Sequence, residues 1–218
     1  MNGEPLTYAH GAPVRVIAPG LAGARSVKWL DEIEIQRQES TNHYQRRDYK
    51  VLPPEATSKE EAEKYWDVTP ALMDMPVNSV IGWPTDEEKV DLIDGALEVR
   101  GYALPQGDQG PVTKVDVRVG EKGSWVEAEI MNPSGALEDD DAQGKWAWKL
   151  WRAKIPKSDL ENAGTHREGF LEKSNNRVID VFSRATDAGG NTQGEGEWNL
   201  RGVAFNGYGS ARAVQVSL

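Results

Sequence analysis

Residues 112–119 (VTKVDVRV) alternate strictly, with Val115, Val117 and Val119 on one side. Period-two patterning dictates a half-buried β-strand, because successive side chains leave a pleated backbone on opposite faces. The same signature recurs through the second two thirds of the chain: ALEVRGYAL (96–104), SWVEAEIM (124–131), KWAWKLWRAKI (145–155), RVIDVFSRAT (177–186) and SARAVQVSL (210–218). Turns rich in Gly, Pro and Asp separate these segments, Gly120–Gly123 among them. Six or seven short strands at such spacing predict an all-β fold, an immunoglobulin-like antiparallel β-sandwich over residues 76–218. No Cys…Trp…Cys pin is present, since the chain contains no cysteine. In 145–155 the alternation puts Trp146, Trp148 and Leu150 on one face and Ala147, Lys149 and Trp151 on the other. Aromatics at strand spacing bury large areas, so these are read as packing residues, in a core or an interface.

The first 75 residues read differently. Residues 13–19 (PVRVIAP) predict a short strand between prolines, and 26–37 (SVKWLDEIEIQR) a second one. From His10 to Lys50 there are seven Lys/Arg against five Asp/Glu; from Val51 to Met75 there are two Lys against six acids. The second stretch, opened by Pro53-Pro54, is expected as a linker over 53–75, with a surface helix at 58–66 capped by Ser58 and carrying Glu61 at the third helical position.

Composition excludes several functions. With no cysteine there is no disulfide, thiolate metal site or thiol nucleophile. The three histidines, His10, His43 and His166, lack metal-ligand spacing. A net charge of −10 disfavours nucleic acid as a partner. No apolar run is long enough to span a membrane, and the N-terminal segment lacks the pattern of a signal peptide. The acidic run Glu138–Asp141 lacks the spacing of a calcium loop.

Two groups of residues are left as candidates. His10-Gly-Ala-Pro-Val-Arg15, followed by Gly20, Gly23 and Ala24-Arg25-Ser26-Val27-Lys28-Trp29, sets three cations among glycines and prolines. Guanidinium forks, a lysine and closely approaching backbone N–H groups suit a phosphate, yet scattered surface cations on a strand–turn–strand have the same spacing. Trp198-Asn199-Leu200-Arg201-Gly202 is either a buried tryptophan anchor or an arginine aimed at an oxyanion.

Taken together, MNGEPL…HGAPVRV…PGLAGARSVKWL resembles the end of the cofactor domain of the sulfite oxidase family of molybdenum enzymes. HYQRRDYK resembles the junction that follows it, and PVNSVI…ALEVRGYA…KVDVRV…WAWKLWRAKIP…RATDAGGNTQ…WNLRGV resembles the family's dimerisation domain. The resemblance covers nearly the whole chain in order. It implies that residues 1–52 are the C-terminal strands of a mixed α+β molybdopterin-binding domain, and that 76–218 form the Mo-co oxidoreductase dimerisation domain, a homodimer. It places pterin-phosphate contacts on His10, Arg15, Ser26, Val27 and Lys28, and a sulfite-binding arginine on Arg201. Ser26 departs from the histidine or methionine usual there, and Tyr208 from a common tryptophan.

The implied cofactor is Mo-molybdopterin and the implied reaction is oxidation of sulfite to sulfate. The family's metal-ligating cysteine, its catalytic tyrosine and its other substrate arginines match nothing in this sequence. No catalytic residue and no metal ligand are therefore expected here, and the chain alone is expected neither to retain molybdenum nor to oxidise sulfite. Alternative readings are a fragment of a eukaryotic nitrate reductase, which resembles WNLMG where this chain has WNLRG, or a non-catalytic dimerisation module. The ending VQVSL is not an SKL-type peroxisomal address.

Overall fold

The computed structural model describes residues 1, 3–85, 89–120, 122–131, 144–162, 176–194, 197–200, 203–206 and 210–217. Eleven strands lie among them: β1 (Asn78–Trp83), β2 (Lys89–Val90), β3 (Ala96–Leu104), β4 (Val112–Val119), β5 (Val126–Glu127), β6 (Glu129–Met131), β7 (Lys149–Pro156), β8 (Asn176–Asp187), β9 (Glu197–Leu200), β10 (Val203–Asn206) and β11 (Ser210–Ser217). The chain divides into two compact units, Met1–Met75 with Glu197–Phe205, and Pro76–Gly196 with Asn206–Leu218.

The second unit is the expected sandwich. One sheet runs β1-β3-β7-β6 and the other β2-β11-β8-β4-β5. All pairings between these strands are antiparallel except the short parallel match of β2 to β11. The alternation in the sequence is realised directly: Val115, Val117 and Val119 of β4 face the core, as do Leu97, Val99 and Ala103 of β3, Trp151, Ala153 and Ile155 of β7, and Ile179, Val181 and Ala185 of β8. Leu160 of helix α2 (Lys157–Asn162) is fully buried and closes one end of the core.

Segment 124–131, expected as one strand, is two. β5 pairs with β4 in one sheet, while β6 pairs with β7 in the other. The switch occurs at Ala128, whose N–H donates to Val115 O at 2.8 Å and whose side chain is buried. Segment 145–155 is also corrected. Its strand begins at Lys149, so Trp146 and Trp148 precede it, and only Trp151 of the three tryptophans enters the core. Trp151 lies against Gly101 of β3: a Cβ there would sit 2.3 Å from Trp151 Cζ2 and 2.1 Å from Val80 O.

The sheets are also joined by a polar contact. Ser79 Oγ of β1 donates to Ser183 Oγ of β8 at 3.0 Å, both residues fully buried. Gln193 accepts from Ser79 N at 2.9 Å and donates to Asn78 Oδ1 at 3.0 Å. Buried hydroxyls and amides of this kind are tolerated only when paired, because desolvation of an orphaned group costs about 1–3 kcal/mol.

The expected strands at 13–19 and 26–37 do not form regular strands. Two backbone bonds, Val16 N to Val27 O and Leu30 N to Val14 O, both 2.9 Å, hold the two segments side by side. Ile33 and Ile35 are 74% and 96% exposed. A β pattern becomes a strand only where a neighbour completes its ladder, and neither run falls in a strand among the described residues.

Residues 53–75 cluster with the residues before them, and Leu52 and Ala56 are buried. The helix there, α1 (Lys59–Ala62), is shorter than 58–66. Its start is a capping arrangement: Ser58 Oγ accepts from Glu61 N at 3.2 Å, and the Glu61 carboxylate accepts from Thr57 Oγ1 at 2.7 Å and Thr57 N at 3.2 Å. No helix among the described residues is long and apolar enough to cross a membrane.

Candidate functional site

The geometry begins at a single 3₁₀ turn, Tyr8–His10, closed by Gly11. Gly11 has φ +111°, in the left-handed region, and its N–H donates to Tyr8 O at 3.0 Å. A Cβ at Gly11 would lie 2.9 Å from Lys28 Cβ, so the glycine lets the 26–29 segment cross directly over the turn.

That crossing gathers the predicted residues. Lys28 Nζ donates to Ala9 O at 2.8 Å, and Trp29 Nε1 to Tyr8 O at 2.8 Å. Arg15 Nη1 donates to His10 O at 3.1 Å and Nε to Ser26 O at 3.3 Å. Ser26 Oγ accepts from Ala18 N at 3.3 Å, and Val27 O accepts from Val16 N. Thr7 Oγ1 and His10 Nδ1 are 2.7 Å apart. Arg15, Lys28 and Trp29 therefore bond the carbonyls of one turn, while Ser26 and Val27 bond the neighbouring 16–18 backbone, and Tyr8 and Trp29 form an adjacent aromatic pair whose centroids are 5.6 Å apart. An ammonium, a guanidinium, an imidazole and a hydroxyl form a donor set suited to a phosphate monoester.

Arg25, grouped with Arg15 and Lys28 by spacing, is used elsewhere. Its Nε and Nη2 donate to Leu72 O at 3.1 and 2.7 Å, its Nη1 donates to Gln45 Oε1, and its guanidinium lies 5.8 Å from the Tyr49 ring centre. It clamps two later segments rather than facing the turn. Arg201 lies outside the described residues.

The sequence reading missed a cleft of about 960 Å³ lined by His43, Arg47, Leu52, Ala56 and Trp66 among others. Two charge pairs line it: Arg47 bonds Glu63 at 2.9 Å, which raises the arginine's pKa, and His43 faces Asp48 at 3.5 Å. Among the described residues no three His, Asp or Glu side chains are placed to hold a metal ion.

Comparison with known proteins resolves the family. Residues 1–44 match the oxidoreductase molybdopterin binding domain, and residues 69–215 match the Mo-co oxidoreductase dimerisation domain. The chain belongs to the molybdenum-cofactor oxidoreductase family. It is 35% identical over 211 residues to mitochondrial sulfite oxidase of Homo sapiens, covering 95% of this chain and 34% of the relative. It is 35% identical to sulfite oxidase of Arabidopsis thaliana, covering 93% of this chain and 47% of that one. Nitrate reductase [NADPH] of Fusarium oxysporum is 33% identical over 94% of this chain and 23% of its own length. The chain thus spans about a third to a half of these sulfite oxidases. The sulfane dehydrogenase SoxCD of Paracoccus pantotrophus superposes with a TM-score of 0.59 at 21% identity, over 97% of this chain and 45% of that one, a likeness of fold.

Proposed function

We propose that this molybdenum-oxidoreductase chain serves sulfite oxidation, supplying the phosphate end of a Mo-molybdopterin site, one substrate arginine and a homodimer-forming domain. The observation that carries the reading is the convergence of Arg15 and Lys28 on the Tyr8–His10 turn, with Ser26 tied to Arg15 through its carbonyl, which gives a phosphate two charge-assisted donors beside His10. Arg15 Nη1 and Lys28 Nζ now donate to neutral carbonyls of the turn, so a phosphate would replace neutral acceptors with a charged one and strengthen the bonds.

Lys28 and Arg15 would hold the phosphate, His10 and Ser26 would orient it, and Val27 would contribute backbone. When bound, the cofactor supplies the two-electron oxidation and the oxygen transfer from water to sulfite. Arg201 would bind the sulfite dianion and lower the cost of bringing a doubly charged substrate to the site. Arginine in Trp198-Asn199-Leu200-Arg201-Gly202 favours sulfite over nitrate as substrate. With no cysteine, the chain offers no thiolate to molybdenum, so by itself it neither retains the metal nor turns over.

The test is complementation. The chain is co-expressed with a cysteine-bearing upstream cofactor segment of a sulfite oxidase, and molybdenum content and sulfite-dependent electron transfer are measured. Activity is expected only in the combination, with Lys28→Met losing cofactor and Arg201→Met raising KM for sulfite. Stoichiometric molybdenum on the chain alone, or nitrate turnover without sulfite turnover, would overturn the reading.

A further inference from the structure

We propose that Trp29 is a positioning residue: it keeps the Tyr8–His10 turn attached to the 26–29 segment when Lys28 turns from the protein to a phosphate. The proposal rests on the phosphate reading above and adds a residue which that reading does not use. Trp29 is one of two non-glycine residues with positive φ among the described residues, at +53°. The other, Asp94 at +51°, precedes Gly95 in a turn, where a short polar side chain tolerates that conformation. A large aromatic residue does not. Its Cβ crowds the backbone in the left-handed region, and the conformation persists only where the surroundings hold it.

Three contacts do the holding. Trp29 N donates to Gly11 O at 3.2 Å, Trp29 Nε1 donates to Tyr8 O at 2.8 Å, and the indole lies beside the Tyr8 ring. Adjacent side chains on an extended backbone leave opposite faces. Lys28 and Trp29 nevertheless end on neighbouring carbonyls of one turn, Ala9 O and Tyr8 O. The φ of Trp29 sets the direction of its side chain relative to that of Lys28, and the left-handed value brings both to the same turn. Lys28 Nζ then lies 5.6 Å from the Trp29 ring centre, and the lysine stem lies against Gly11, where a Cβ would stand 2.9 Å from Lys28 Cβ.

A phosphate acts differently on the two side-chain bonds. Lys28 carries a point charge on a flexible stem, so an anion draws it off Ala9 O. The indole N–H of Trp29 is a neutral donor of fixed direction, gains less from the anion, and stays on Tyr8 O. With Trp29 in place, Lys28 leaves its carbonyl and the turn that Arg15 also bonds keeps its position. Without the indole donor, the bond that Lys28 gives up is the last side-chain bond from the 26–29 segment to Tyr8–His10 among those described, and binding phosphate costs the turn its attachment.

The experiment is calorimetric titration of the full chain with inorganic phosphate, beside thermal unfolding, for wild type, Trp29→Phe, Trp29→Gly, Lys28→Met and the double variant Trp29→Phe with Lys28→Met. Trp29→Phe keeps an aromatic ring and removes the indole donor. It is expected to raise the Kd for phosphate about three- to tenfold, the net worth of one neutral hydrogen bond. Its Tm is expected to stay within about 2 °C of wild type, because in the phosphate-free chain Lys28 still holds Ala9 O. Trp29→Gly relieves the left-handed backbone and is expected to weaken phosphate at least as much. Trp148→Phe, exposed on the sandwich, is the control and is expected to bind as wild type does. In the Lys28→Met background Trp29→Phe is expected to change Kd less than about twofold, since no ammonium leaves the turn there. A Kd unchanged in both Trp29 variants, an equal loss with and without Lys28, or a large fall in Tm in both Trp29 variants would each sink the positioning role and leave the phosphate reading standing. No binding of phosphate by the wild type sinks both.

Discussion

Gly101→Ala tests how tightly the sandwich core is specified. The added Cβ would stand 2.1 Å from Val80 O, 2.3 Å from Trp151 Cζ2 and 2.6 Å from Trp151 Cε2. Neither neighbour can yield cheaply. Val80 O belongs to the β1–β3 ladder, where Val80 and Ile81 face Tyr102 and Gly101, and Trp151 is fully buried in the core. Overpacking a well-filled core typically costs about 1–3 kcal/mol, and two simultaneous contacts, one of them backbone, place this case at about 3 kcal/mol. In a chain of 218 residues that corresponds to a fall in Tm of about 6–12 °C. Gly82→Ala, one strand away, is the control: its nearest neighbour would be Arg100 O at 3.9 Å, ordinary contact, and its Tm is expected to stay within about 1–2 °C of wild type. Thermal unfolding followed by far-UV circular dichroism and tryptophan fluorescence reads both. Repeating Gly101→Ala in a Trp151→Phe background should recover part of the loss, because the indole edge that meets the new Cβ is gone. If Gly101→Ala and Gly82→Ala melt together, the close packing of Trp151 on β3 is wrong.

Ser183→Ala leaves Ser79 Oγ buried without its partner and is expected to cost about 1–3 kcal/mol, while the double change Ser79→Ala with Ser183→Ala costs less than the single one, as denaturant titration of the three variants would show. Glu61, Asp108 and Glu129 all have pKa values held below the usual carboxylate range, by hydrogen bonds from Thr57, Lys145 and Arg152 respectively. A lowered folded-state pKa stabilises the fold above the unfolded value, so stability should be constant at neutral pH and fall below about pH 4 as these groups protonate, measured by urea midpoints against pH. Arg25→Met removes the bonds to Leu72 O and Gln45 and should lower protection of residues 45–72 in hydrogen exchange, without changing phosphate binding at the Tyr8–His10 turn.

Much of the sandwich was legible in the chain itself. The alternation in 96–104 and the strict alternation in 112–119 mapped onto β3 and β4 with the same bounds, and Leu97, Val99, Val115, Val117 and Val119 face the core, because a strand packed on one face has a single register that keeps its apolar set inside. Glycines and prolines marked the turns, and Ser58 with Glu61 marked a helix start, since both act through neighbours close in sequence. Type and spacing singled out the cations Arg15, Arg25 and Lys28, while His10, Ser26 and Val27 joined them through the family resemblance; Arg15 and Lys28 both bond carbonyls of the Tyr8–His10 turn.

What local pattern could not decide is where non-local partners intervene. The 124–131 run alternates like one strand, yet only the positions of β4 and β7 determine that it breaks at Ala128 and serves two sheets. The 13–19 and 26–37 runs have strand composition but join no sheet among the described residues. Among three tryptophans with equal claim to the core, packing against Gly101 selects Trp151 and leaves Trp148 outside. Arg25, indistinguishable from Arg15 by sequence, is drawn to a carbonyl 47 residues away. Alternation, turns and caps follow from interactions a few residues long, which a sequence displays directly. Choice of partner follows from contacts between distant segments, and only the folded arrangement supplies those.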